Sequence, residues 1–380
     1  MRQRIAGALM LALGATPLQA ADRHQAYALI GMAVIPPGAK ADGLEVGGLS
    51  GLDYDPVSGG WFLISDDRSE HGPARLWRAR IAYDHGQPPG IDGLHPLFLH
   101  REDGSLFPVP GTGGEASDAE SIRVASFGTS LIWSSEGDAK DGFGPSVRRA
   151  RLDGTPLGKM PLPANLGYDP QRHTGPRANL SFEGLGFSAH GRQLWLSVEA
   201  PLQQDGPLAS ATQGAMVRIT KLAWPSGRMM RQFAYPIDPI GPFPEGKLAD
   251  NGVSEILPLD ARHLLVLERS GVETGKMDFR YRSRVYCAVT DGASDVARVA
   301  SLRDGGFKPM RKTLAIDLSA LPIPAVDNVE GMALGPVLSN GHASLVFVTD
   351  NNFAANHPTQ LIALEIKAKP AIIAKTLCGT

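Results

Sequence analysis

Acidic residues open or close short apolar runs at five places in this chain, and carboxylates that recur in this way can do chemistry only if the fold gathers them. The five pairs are Ser50 with Asp66, Glu120 with Glu136, Glu183 with Glu199, Ser254 with Glu268, and Glu330 with Asp350. In the first three the spacing is identical, from 50 to 66, from 120 to 136 and from 183 to 199. The fourth copy is shorter and the fifth longer, the difference falling in the turn. Gathered carboxylates either hold a hard cation or accept hydrogen bonds that tie neighbouring strands together. Ca²⁺ suits such a set best, because it takes six to eight oxygen ligands in flexible geometry. Glu120, Glu183, Glu330 and the flanking Asn251 are the expected ligands, and Glu199, Asp350 and Asp66 the expected proton acceptors. Arg68, Arg177 and Arg269 stand at equivalent loops, where a guanidinium can grip phosphate or carboxylate with two parallel bonds or neutralise the acids.

Other catalytic signatures fail on their context. The stretch Gly241 to Lys247 has the outline of a phosphate-binding loop, but Leu248 replaces the hydroxyl residue, and Pro242 and Pro244 remove amides that would cradle a phosphate. Gly111 to Ala116 imitates a dinucleotide fingerprint without a strand before it or a helix after it. No G-x-S-x-G elbow occurs. The ten histidines form no H-E-x-x-H pair, which disfavours zinc.

The elements that must position the acids are strands. Each pair brackets a hairpin: Ser50-Gly51-Leu52-Asp53-Tyr54 returns as Trp61 to Ser65, and Glu183-Gly184-Leu185-Gly186-Phe187 returns as Leu194 to Val198. Most intervals hold two more strand-like runs, such as Ala74 to Ala82 with Leu94 to Leu99, or Ala215 to Leu222 with Met229 to Tyr235. Helical periodicity is nearly absent, while 44 glycines and 30 prolines in 380 residues supply many turns. Repeated four-stranded meanders close best into a β-propeller. The chain is therefore expected to be all-β, one propeller of five four-stranded blades over 22–380, with six blades as the alternative count. Tyr27 to Ile35 is expected to close the ring on the last sheet. In an antiparallel hairpin the leading and closing residues emerge at the same end, so the acids should meet on one rim of the central channel.

The N-terminus reads as a signal peptide over 1–21, with Arg2 and Arg4 before an apolar run from Ile5 to Leu18 that is too short to span a bilayer. A periplasmic or secreted protein without a transmembrane segment follows as the expectation. The two cysteines, Cys287 and Cys378, could pair there or remain separate buried thiols. Lys+Arg 37 against Asp+Glu 39 gives no basic footprint for nucleic acid, and conceals any local charge.

At the same segments the sequence resembles the exported phytase-like proteins described as having esterase-like activity of phytase. The resembling stretches include Gly47 to Leu52, Ser65-Asp66-Asp67-Arg68-Ser69, Phe182 to Leu185, Glu199 to Gly206, Leu265 to Arg269, Asp327 to Met332 and Thr349 to Phe353. Asp66-Asp67 continues as Arg68-Ser69, not as the Asp-Asp-Ala-Pro-Ala signature of the calcium-dependent propeller phytases. The resemblance implies phosphoester hydrolysis, and the leading expectation is an exported propeller hydrolase of phosphate esters with Ca²⁺ in an acidic channel mouth. Its partner would be a small-molecule phosphate ester or another anionic ligand, and the chain a monomer. Two alternatives use the same oxygen-rich mouth: a non-catalytic propeller binding a ligand or an envelope partner, and a calcium-dependent lactonase.

Overall fold

Runs of apolar residues bounded by turn glycines pair with their nearest neighbours in sequence, and here every predicted hairpin forms. The computed structural model describes residues 26–125, 128–275 and 278–379; the expected leader at 1–21 lies outside them. Strand β1 (Tyr27–Ile35) is followed by a small hairpin, β2 (Lys40–Ala41) and β3 (Leu44–Glu45). Blade 1 is β4 (Leu49–Asp55), β5 (Gly60–Ser65), β6 (Arg75–Asp84) and β7 (Gln87–Phe98). Blade 2 is β8 (Ala119–Val124), β9 (Leu131–Ser135), β10 (Ser146–Ala150) and β11 (Pro156–Lys159). Blade 3 is β12 (Phe182–Phe187), β13 (Gln193–Val198), β14 (Ala215–Ala223) and β15 (Met229–Ile237). Blade 4 is β16 (Ala249–Pro258), β17 (His263–Gly275), β18 (Asp278–Val289) and β19 (Arg311–Asp317). Blade 5 is β20 (Val329–Leu334), β21 (Ala343–Thr349), β22 (Thr359–Ile366) and, as its outermost strand, β1.

The count is thus five, and the ring closes as expected, with Tyr27 opposite Ile366 and Ile35 opposite Thr359. The first strand of each hairpin packs beside that of the next blade, so β4, β8, β12, β16 and β20 surround the axis. Apolar side chains fill the spaces between blades: Leu185, Trp195 and Ile256 pack between blades 3 and 4, and Leu52, Trp61 and Val348 between blades 5 and 1. Among the described residues no helix is long and apolar enough to cross a membrane.

Two features of the inner strands shape the channel. Each inner pair carries a β-bulge at the leading polar residue: the register shifts at Ser50, at Glu120 with Ser121, at Glu183 with Gly184, at Ser254 and at Glu330. A bulge adds one unpaired residue and turns its side chain out of the pleat. Deeper in the channel, Arg123 and Glu255 form a buried ion pair at 2.7 Å. Arg123 donates to the carbonyls of Leu52, Ile122 and Met332, while Glu255 accepts from the amides of Leu185 and Ile256 and the hydroxyl of Ser121. Those partners come from all five blades. These bonds offset much of the cost of burying two charges, although Arg123 Nε is left without a partner.

The two cysteines are bonded, Cys287 on β18 to Cys378 at the end of the short helix Ile373–Cys378, across a sequence separation of 91. Ile373 and Leu377 of that helix pack into the core between blades 4 and 5. Closing so long a loop constrains the unfolded chain by about 4 kcal/mol in the chain-entropy picture. The double variant Cys287→Ser, Cys378→Ser should therefore lower the urea unfolding free energy by about 4 kcal/mol. A midpoint equal to that of the wild type would show that strand pairing already confines the C-terminus.

Candidate functional site

The hairpin ends meet at one mouth of the channel. On the mouth side of the bulges the first ladder pairs of the five hairpins are Leu49 with Ser65, Ala119 with Ser135, Phe182 with Val198, Val253 with Glu268 and Val329 with Thr349; in blade 4 alone the ladder then runs on to Ala249 with Val272. The next residue in each case is Asp66, Glu136, Glu199, Arg269 and Asp350. The expected closing acid of blade 4, Glu268, therefore stops one position short of the rim, and Arg269, opposite Gly252 in the extended ladder, lines the mouth in its place. Glu268 instead accepts hydrogen bonds from Tyr235, Lys312 and the amide of Asp238.

The mouth has a volume of about 460 Å³ and is lined by eleven carboxylates and two guanidiniums, Arg68 and Arg269. One of the acids, Asp67, is neutralised by a buried ion pair with Arg75. Asp66, Glu120, Glu136, Glu183, Glu199, Glu330 and Asp350 are all lining residues. The rim positions impose close packing: a Cβ on Gly48, at φ 61°, would stand 2.1 Å from Asp66 Oδ1, and one on Gly252 would stand 2.5 Å from Glu199 Cγ.

The acids differ in how they are held. Glu136 accepts from the Ser181 amide, Asp350 from the Asn352 amide at 2.8 Å and Glu330 from Asn328 Nδ2 at 2.8 Å. Glu199 meets Arg269 at 3.1 Å, and the same guanidinium lies 3.7 Å from Glu330 and 3.5 Å from Asp250. Among the described residues the carboxylates of Asp66, Glu120 and Glu183 accept no hydrogen bond from the protein. Stitching between blades falls instead to the two serines of the repeat, Ser50 donating to the Ala119 and Glu120 carbonyls and Ser254 to the Val329 carbonyl. Hydrogen bonding to the next blade thus accounts for the serines and, in part, for Glu136 and Glu199. It leaves Asp66, Glu120 and Glu183 unexplained.

Two groups of three carboxylates can each bring oxygens within 4.8 Å of one another: Asp118, Glu120 and Glu136, and Glu136, Glu183 and Glu199. Such buried sets can bind a metal ion. Asp118 carries no repeat signal of its own, although it stands two residues before Glu120, the spacing that puts two side chains on the same face of a strand. Glu136 is a closing acid of the repeat, and the fold makes it the member common to both triads.

Three of the expected residues hold positions that sequence spacing did not specify. Arg68 lines the mouth and pairs with Asp138 at 3.3 Å and Asp118 at 3.7 Å. Arg177 does not line it; its guanidinium donates to the carbonyls of Pro201 and Gly206. Asn251 also stands outside, its Nδ2 donating to the Asp238 carbonyl. The opposite wall, from blades 4, 5 and 1, is partly aromatic: Phe279 stacks on Tyr281 with centroids 6.1 Å apart, and Phe353 on His71 at 4.1 Å.

Burial dominates the acid–base behaviour. It pushes Glu199 up to about 8 despite the pull of Arg269, and Asp118 up to about 7 despite Arg68. Burial, and then the charges of their neighbours, hold Asp66, Glu120, Glu136, Glu183 and Asp350 well above the usual carboxylate range. In the unfolded chain these groups titrate near 4. Between roughly pH 4.5 and 8 the folded, metal-free protein holds protons that the unfolded chain has released, so its stability falls as pH rises through that window. In chelator the melting temperature should drop by several degrees from pH 5 to pH 8, and Glu199→Gln should flatten the upper part of the fall. A melting temperature that rises over this interval would contradict the assignment.

The family model "Phytase-like: Esterase-like activity of phytase" matches residues 44–353. No curated protein matches. Solved structures similar to this chain include a putative glycosidase from Bacteroides thetaiotaomicron, 12% identical over 88% of this chain and 92% of that one, with a TM-score of 0.43. A glycosyl hydrolase from Bacteroides ovatus is 12% identical over 84% and 85%, TM-score 0.41, and a gluconolactonase from Xanthomonas campestris 14% over 89% and 97%, TM-score 0.32. Likenesses of that size carry no chemistry across. The family match is of another order: it runs from the hairpin before blade 1 to the rim loop of blade 5, through every inner-strand bulge and rim acid, and the chain belongs to the phytase-like family.

Proposed function

We propose that the protein is an exported hydrolase of phosphate esters whose channel mouth holds Ca²⁺ on the carboxylates of blades 2 and 3. The observation that carries this reading is the imbalance of acids over guanidiniums in the mouth, where ten buried or half-buried carboxylates, one of them paired with Arg75, face Arg68 and Arg269, with two triads sharing Glu136. Desolvated like charges at this density remain ionised only beside a cation. Oxygen-only donors at a crowded, irregular site fit Ca²⁺ better than a metal that demands nitrogen or sulfur.

Asp118, Glu120, Glu136, Glu183 and Glu199 would hold the ion. Once bound, it supplies positive charge against the ester oxygens and acidifies water at the site. Arg269, already oriented by Glu199 and Glu330, and Arg68, about a quarter exposed, are placed to hold phosphoryl oxygens. Asp66 and Asp350 stand across the mouth without a guanidinium in hydrogen-bonding contact, which suits one of them to accept the proton of an attacking water. The disulfide, together with the leader expected from the sequence, supports a periplasmic or secreted location.

Ca²⁺ should raise the melting temperature with the logarithm of free ion above its dissociation constant. Glu136→Gln, which alters both triads, should abolish most of that shift and lower Ca²⁺-stimulated turnover by at least about tenfold. Purified protein assayed on phosphomonoesters, phosphodiesters and lactones, in chelator and in millimolar Ca²⁺, decides the class. Equal rates with and without the ion, or turnover confined to lactones, would overturn the proposal.

A further inference from the structure

The mouth is not a closed bowl. On the side of blades 4 and 5 it opens, past Tyr281 and Asp350, into a cleft of about 150 Å³. That cleft shares Phe279, Tyr281, Asp327 and His357 with a larger groove of about 750 Å³. The acid triads occupy one end of this path and the groove the other, with the stacked Phe279–Tyr281 pair as the floor between them.

The two ends differ in chemistry. The groove wall is the segment 318–326, where Leu318 and Leu321 are buried and Ile323 and Val326 half-buried. Pro322 and Pro324 stiffen that segment, so the wall is preformed. Asp278, Arg280, Asp327 and His357 also line the groove, with His357 paired to Asp327 at 2.7 Å and to Asp278 at 3.5 Å. The 318–326 wall itself is mostly apolar and suits hydrocarbon or an aromatic ring. At the other end two guanidiniums suffice for one phosphoryl group and not for several.

We propose that the substrate is an amphiphilic ester. Its single anionic head lies at the carboxylate mouth, and its apolar or aromatic alcohol portion crosses Phe279 and Tyr281 into the groove between blades 4 and 5. This rests on the phosphoester reading above and names the substrate class for it. In hydrolysis the oxygen of water bonds to phosphorus as the bond from phosphorus to the alcohol oxygen breaks. A proton passes to that oxygen, and the alcohol leaves along the groove while phosphate remains at the mouth.

The test is calorimetric binding of methyl phosphate and octyl phosphate, below micelle-forming concentration, in millimolar Ca²⁺. Octyl phosphate should bind at least about tenfold more tightly, since each buried methylene adds severalfold to affinity. Ile323→Glu should bring the ratio close to one, and Ala325→Asp, at an exposed residue of the same wall, should reduce it and keeps the test open if the first variant does not fold. Equal affinities in the wild type, or a ratio retained by both variants, would overturn the proposal. If neither phosphate binds, the phosphoester reading fails and the groove is read separately with the neutral probe N-phenyl-1-naphthylamine. Enhanced fluorescence that Ile323→Glu or Ala325→Asp removes would support an apolar tail site, and no enhancement in the wild type would reject it.

Discussion

Mutual repulsion among carboxylates held in a desolvated mouth is the constraint around which this molecule is arranged. Carboxylates from all five blades cannot approach in this way unless something stronger fixes their backbones. The ladders of the inner hairpins, the interblade apolar packing and the closed ring do so together. Each bulge then redirects one residue from the pleat toward the axis, at the expense of a ladder pair. The opened backbone is repaired locally: Ser134 accepts from the Ser121 amide at 3.0 Å and Ser197 from the Gly184 amide at 3.1 Å. Side chains on the second strand thus offset the backbone cost of the carboxylates on the first.

The channel contains two contrasting solutions to buried charge. Near the mouth, acids outnumber cations and several carboxylates lack any hydrogen-bond donor, so burial shifts their titration upward. Deeper, Arg123 and Glu255 are matched one to one and hydrogen-bonded chiefly to backbone groups. Even there burial raises Glu255 to about 7 against the pull of Arg123. The deeper pair joins blades. The mouth keeps an excess of acids over cations, the kind of perturbed cluster that marks a candidate functional site.

Much of this was legible in the sequence because the hairpin is a local unit. Leading residue, apolar strand, turn and returning strand all lie within some twenty positions, and the period-2 pattern puts both ends on one rim. What sequence could not supply was the ladder register. In blade 4 the acidic identity of Glu268 pointed to it as the rim residue, but Val253 pairs with Glu268 and the rim falls to Arg269. That one-residue difference exchanges a carboxylate for the principal cation of the site. Arg177 and Asn251 point to the site by the same kind of proximity along the chain, yet each turns to carbonyl groups near its own blade. Phe279 and Tyr281 escape such a reading because they come from the long outer part of the hairpin β17–β18, which carries no repeat signal.

Ring closure by β1 has a consequence for how the protein is made. Its partner β22 begins at Thr359, more than 300 residues beyond Ile35. At about 5–20 residues per second, β1 waits roughly 15–65 s on the ribosome before its partner exists. During that time it is an unpaired, apolar edge of nine residues, the kind of segment that recruits strands from other chains. The finished fold shows how that hazard is blunted. A bulge between Leu29 and Gly31 breaks the regularity of the edge, and Pro88 and Pro89 of β7 lie against Gly31, two residues that cannot donate to a neighbouring strand. Closing the ring pairs segments more than 300 residues apart, the kind of long-range contact that slows folding.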